Sequence, residues 1–120
     1  AITLLQPTAN ETYLDLFCGI GNFSLPLSLS AKYVLGIEGS NKMVDQATSN
    51  ALNNNCDNIS FKEADLFDTQ AIEKLIDSNE KIDVVDGIIL DPPRAGAKLI
   101  CENIKKLSPK KILYVSCDPN

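Results

Sequence analysis

Two short motifs near the end of the chain hold the residue types best suited to covalent chemistry. Asp91-Pro92-Pro93-Arg94 follows the apolar run Gly87-Ile88-Ile89-Leu90, and Ser116-Cys117-Asp118 follows Ile112-Leu113-Tyr114-Val115. In an open α/β sheet, ligands bind outside the carboxyl ends of the strands. A carboxylate and a thiol at two such ends can therefore converge, although 25 positions separate Asp91 from Ser116. A cysteine placed there is a candidate covalent nucleophile. Taken singly, each motif has a plainer explanation: Asp91-Pro92-Pro93 is a stiff turn after a strand, and Cys117 an inert strand thiol. Their joint occurrence favours a site.

A second group of residues points to a nucleoside. Leu14-Asp15-Leu16-Phe17-Cys18-Gly19-Ile20-Gly21-Asn22 runs from a strand into a glycine turn, where a ligand can approach the backbone closely. A dinucleotide fingerprint would continue to a glycine or alanine at position 24, but Ser24 stands there. Glu38 ends the next strand, 17 positions after Gly21, where a carboxylate can accept hydrogen bonds from both hydroxyls of a ribose. Asp65, at a third strand end, could accept the exocyclic amine of an adenine, or could simply be a turn residue. Phe17 could belong to the core and Asn22 could cap a helix. Adenosine without a pyrophosphate fits the set.

Positioning these residues requires a parallel sheet covered by helices, and the alternation of apolar runs with helical periodicity predicts one. Strands are expected at Tyr13–Phe17, Tyr33–Glu38, Ile59–Ala64, Asp86–Leu90 and Ile112–Ser116. Asn41–Asn53 should be a helix behind a Ser40 N-cap, with Val44, Ala47 and Ala51 on one face. Thr69–Asp77 and Ala97–Leu107 are amphipathic in the same way. Asn22–Ala31 is expected to be helical with Pro26 in its first turn, where the missing N–H costs nothing.

Composition narrows the function further. The 120 residues suffice for one domain but are short for a complete α/β enzyme, so a domain truncated after its fifth strand is expected. No apolar run approaches the roughly 20 residues that span a bilayer, and no membrane partner is expected. Cys18, Cys56, Cys101 and Cys117 form no C-x-x-C pair, so neither a disulfide framework nor a metal site is expected, and a reducing cytoplasmic location follows. A net charge of −5, with Arg94 the only arginine, argues against this segment gripping a polyanion unaided. Lys105, Lys106, Lys110 and Lys111 fit a solvated helix face and turn. With no histidine in the chain, acid–base work at neutral pH falls to carboxylates, thiols, lysines or tyrosines.

The run Leu14–Phe23, with Gly36-Ile37-Glu38-Gly39, Asp91-Pro92-Pro93-Arg94-Ala95-Gly96 and Tyr114-Val115-Ser116-Cys117, resembles the RNA uracil-5-methyltransferases over nearly the whole chain. That family usually has Asn after the cysteine, where this chain has Asp118. The resemblance implies a Rossmann-like α/β fold that uses S-adenosyl-L-methionine to make 5-methyluridine in rRNA or tRNA. It further implies that Phe17, Gly19, Asn22, Glu38 and Asp65 line the cofactor site, that Asp91 lies between cofactor and target base, and that Cys117 is the nucleophile. Residues 1–120 would then be a partial catalytic domain, silent alone. By the same resemblance, the family's catalytic glutamate beyond the cysteine and its RNA-binding β-barrel would lie outside this chain.

The chemistry implied needs these residue types. C5 of uracil is a poor nucleophile toward a sulfonium methyl until a thiolate adds at C6 and turns the ring into an enolate; a base then removes the C5 proton and the thiol is eliminated. A free thiol has a pKa of ~8.5, so Cys117 needs local help to ionise at neutral pH. Asp91 could accept the uracil N3 proton or orient the surroundings of the thiol, and Arg94 could contact phosphate or brace the proton acceptor. Two alternatives compete: an RNA cytosine-5-methyltransferase, which would carry a second cysteine where Pro93-Arg94 stands, and a non-catalytic S-adenosylmethionine-binding module.

Overall fold

The computed structural model describes residues 10–19, 21, 24–90, 102 and 111–114, without the side chains of Thr69 and 111–114. Its elements in chain order are β1 (Thr12–Leu16), α1 (Ser24–Ser28), β2 (Tyr33–Glu38), α2 (Asn41–Asn53), β3 (Ile59–Glu63), α3 (Thr69–Asp77), β4 (Gly87–Leu90) and β5 (Lys111–Tyr114). The strands form one parallel sheet in the order β3-β2-β1-β4-β5. The order reverses between β1 and β4, which is where open α/β sheets hold their ligands.

Alternation along the central strands sends side chains to both faces. Leu14, Leu16, Leu35, Ile37, Ile88 and Leu90 pack on one face with Ile72 of α3. Tyr13, Val34 and Ile89 pack on the other with Leu27 of α1, and beside them Phe61 packs with Val44, Ala47 and Ala51 of α2. The sheet is thus covered on both sides, as expected of the fold class.

Helix α2 has the expected bounds because its ends are chemically marked. The Ser40 hydroxyl accepts the Met43 N–H at 3.4 Å. At the other end Asn55 takes φ 57°, while Cys56 N–H bonds the Ala51 carbonyl and Asn55 N–H that of Leu52. This is a Schellman stop, with Asn in the left-handed position. α3 also matches its expected range, and Asp68 caps it by accepting from Gln70 and Ala71 N–H.

Other expected ends shift by a residue or more. β1 runs Thr12–Leu16 rather than Tyr13–Phe17, because Phe17 already has φ 60° and begins the turn. β3 stops at Glu63 and β4 starts at Gly87. Asp86 instead ties the start of β1, its N–H donating to the Thr12 carbonyl and its carboxylate accepting the Thr12 N–H at 2.8 Å. Pro26 lies in the first turn of α1, which begins at Ser24. Of the expected helix Ala97–Leu107 only Glu102 is described, and it is helical; Val115 and Ser116 of the last expected strand lie outside the described residues.

Gly36 is a packing glycine. A Cβ built there would stand 2.5 Å from Phe61 Cδ1 and 3.1 Å from Cys18 Sγ. Gly36→Ala is therefore expected to destabilise the protein by about 1–3 kcal/mol through overpacking. Urea denaturation would show it, and Phe61→Leu in the same protein should restore part of the loss.

Candidate functional site

The site is built from the chain segments that leave the carboxyl ends of β1, β2 and β3. After Leu16 the backbone folds over the neighbouring strand, with Phe17 and Cys18 N–H both bonding the Ile37 carbonyl at 2.9 and 3.3 Å. Gly19 (φ 57°) and Gly21 (φ 94°) complete the turn, and the Gly21 carbonyl accepts the Leu25 N–H at the entry to α1. A Cβ at Gly19 would meet no atom within 4 Å, so its conformation and not crowding demands glycine, and the space beside it is open.

Ser24 proves to be structural. Its fully buried hydroxyl donates to Asp15 Oδ2 at 2.5 Å, tying the start of α1 to the middle of β1. A glycine or alanine there would leave a carboxylate that is 1 % exposed without this donor. The departure from the dinucleotide fingerprint thus has a packing reason.

Glu38, half-buried at the end of β2, is held at both oxygens. Oε1 accepts the Gly19 N–H at 3.3 Å and Oε2 the Ser40 N–H at 2.9 Å. Each carboxylate oxygen has capacity for a further bond, so two fixed acceptors face outward from the glycine turn. Asp65 is exposed and closes an Asx turn, its Oδ1 accepting the Phe67 N–H at 2.9 Å.

Phe17, Glu38, Gly39, Glu63, Asp65 and Phe67 surround a cavity of about 540 Å³. The rings of Phe17 and Phe67 meet edge to face, centroids 6.3 Å apart and planes at 79°. The structure thus brings Phe17, Glu38 and Asp65 around one space and joins Gly19 to it through Glu38. Asn22, Asp91 and Cys117 lie outside the described residues. The strands leading to the last two are nonetheless adjacent and in register, Leu16 opposite Leu90 and Leu90 opposite Tyr114. Sequence reasoning missed Glu63, Gly39 and Phe67; the signal for Phe67 was a large aromatic two residues past a strand-end carboxylate.

Among the described residues, the lining combines apolar rings with three carboxylates, Glu38, Glu63 and Asp65, and no cationic side chain. Such a space favours a planar, hydroxyl-rich, uncharged or cationic ligand over a phosphorylated one. A second concavity of about 340 Å³ lies beside the amino end of β2, where the Lys81 ammonium stands 5.6 Å from the centre of the Tyr33 ring. Among the described residues, no group of three or more His, Cys, Asp or Glu side chains could hold a metal ion, and no helix is long and apolar enough to cross a membrane.

Cys18 is a different kind of thiol from a strand-end nucleophile. Burial first, then the carboxylates of Asp15 and Glu38, push its pKa up, so it stays protonated and inert. The unfolded chain releases this proton above the ordinary thiol value of about 8.5, while the folded protein keeps it. The associated stability is whole below that pH and falls as pH rises beyond it. Tyr13, raised by burial and by its bond to Glu11, acts in the same direction from about pH 10. Unfolding midpoints are expected to drop between about pH 8.5 and 10.5. Cys18→Ala should flatten that slope, and an unchanged slope would contradict the assignment.

The fold and the residues at its strand ends together define a Rossmann-like domain of the S-adenosylmethionine-dependent methyltransferase class. Within that class, the chain belongs to the tRNA (uracil-5-)-methyltransferase family, whose model matches residues 1–120. It is 46% identical over 118 residues to a Francisella tularensis subsp. novicida protein named 23S rRNA (uracil(1939)-C(5))-methyltransferase RlmD, covering 98% of this chain and 25% of the relative. A Photobacterium angustum protein of the same name is 46% identical over 119 residues, covering 99% of this chain and 52% of its own length. Among solved structures, the Pyrococcus abyssi tRNA (uracil-54, C5)-methyltransferase in complex with S-adenosyl-L-homocysteine superposes with a TM-score of 0.70 at 26% identity, over 98% of this chain and 27% of that one. The chain thus spans a quarter to about half of the length of these relatives.

Proposed function

We propose that this chain is the catalytic segment of an S-adenosylmethionine-dependent RNA methyltransferase that modifies C5 of uridine through a covalent bond between Cys117 and C6 of the base. The observation that carries this reading is the fixed Glu38 carboxylate beside the open Gly19 turn, in a cavity at the carboxyl ends of β1, β2 and β3. The donor set fits the group: two preorganised acceptors suit the ribose hydroxyls, and the three carboxylates among the described lining residues suit an adenosine that bears a sulfonium instead of a pyrophosphate.

When bound there, S-adenosylmethionine supplies an electrophilic methyl group. Glu38 holds the ribose, Gly19 lets the backbone come close to the ligand, and Asp65 accepts from the adenine amine. Phe17 and Asn22 complete this end, and Asp91 borders both ligand and base. Cys117 adds to C6 and leaves again once the C5 proton has been removed. Its placement near Asp91 is supported by the register of β4 and β5, which sets the residue before Asp91 opposite the residue three before Cys117.

Large-subunit rRNA is the substrate we favour, because the relatives at 46% identity carry that name while the tRNA enzyme is 26% identical. With a net charge of −5, these residues would leave most of the grip on RNA to other parts of the intact protein, acting in the cytoplasm. Nucleoside mass spectrometry of rRNA and tRNA from cells lacking the gene tests the proposal. One 5-methyluridine should disappear from the rRNA; unchanged 5-methyluridine in both pools would refute it.

A further inference from the structure

Phe67 is an aromatic residue lining the cavity to which the resemblance gives no role. It is large, apolar and 46 % exposed, an arrangement that leaves hydrophobic area in water unless something covers it. Its position is fixed on two sides: the backbone N–H bonds Asp65 Oδ1 at 2.9 Å, and the ring packs edge to face on Phe17 at 6.3 Å. The same short segment therefore presents a carboxylate and an aromatic ring to one space, which Glu38 also lines. Two rings near 79° to each other form a corner, so a planar ligand lying flat on one meets the edge of the other.

We propose that Phe67 is the wall against which the purine of the cofactor packs, beside the Asp65 carboxylate. This rests on the adenosine reading of the site. Loss of a base–aromatic contact of this kind is expected to cost about tenfold in affinity, or about 1.4 kcal/mol. Phe67→Ala should thus weaken a ligand that has the base and spare one that lacks it.

Calorimetry on the intact protein with two probes separates these effects. S-adenosylhomocysteine carries base, sugar and amino acid, while S-ribosylhomocysteine lacks the base. Phe67→Ala is expected to weaken the first about tenfold and the second less than twofold, and Phe67→Trp, which keeps an aromatic face, should bind the first as tightly as wild type. Because the ring is half exposed, the unfolding midpoint should stay within a few degrees. Wild-type affinity for S-adenosylhomocysteine in Phe67→Ala, with binding lost in Glu38→Ala, would overturn the role of Phe67 and leave the cofactor site standing. Equal weakening of both probes in Phe67→Ala would show a merely structural ring and overturn it too. Failure of the wild-type protein to bind S-adenosylhomocysteine would overturn both readings.

Discussion

Glu38→Ala is expected to bind S-adenosylhomocysteine about 10- to 100-fold more weakly than the wild-type protein, the loss of one charge-assisted hydrogen-bond partner worth roughly 1.5–3 kcal/mol. The size of the effect follows from how the carboxylate is held. Gly19 and Ser40 N–H hold one oxygen each, so less rotamer freedom is lost when ribose hydroxyls arrive. The substitution also leaves those two N–H groups without their acceptor, which loosens the glycine turn. Glu38→Gln should recover part of the loss, because its amide oxygen still accepts, whereas its NH₂ cannot serve the second site. Calorimetry in which Glu38→Ala binds like wild type would remove Glu38 from the site.

Cys117→Ser is expected to lower methyl transfer by the intact enzyme by on the order of 10³-fold or more, because C5 stays unactivated without addition at C6. Binding of S-adenosylhomocysteine should survive, since the thiol serves the base and not the adenosine. RNA carrying 5-fluorouracil at the target separates a nucleophile from a structural thiol. Its C5 can accept the methyl group, but fluorine cannot leave as a proton does, so wild-type enzyme should remain covalently attached to the RNA. Cys117→Ser should form no such adduct, while Cys18→Ser and Cys56→Ser should still do so. Near-normal methylation by Cys117→Ser would show that the strand-end thiol is structural.

The parts of the fold legible in the sequence are those whose ends are marked by local chemistry. β2, α2 and α3 have the expected bounds because periodicity agrees with a terminal carboxylate in the first case and with caps in the others. Phe17 misleads because its hydrophobicity continues the β1 run, whereas its backbone already turns to bond Ile37. That bond joins strands distant in sequence, so no local signal announces it. The packing role of Ser24 is hidden for a similar reason, since its partner is Asp15 across the turn. At the site, Glu38 and Asp65 stand out as carboxylates that end apolar runs. Phe67 does not, because an aromatic in a loop gains meaning only once Phe17 is seen beside it and the cavity between them is known.

The most direct test of the proposed activity is nucleoside analysis of RNA transcripts after incubation with the intact protein and isotopically labelled S-adenosylmethionine. Label is expected in 5-methyluridine at a single site of large-subunit rRNA. Label in 5-methylcytidine, or no labelled RNA from a protein shown to bind S-adenosylmethionine, would contradict it.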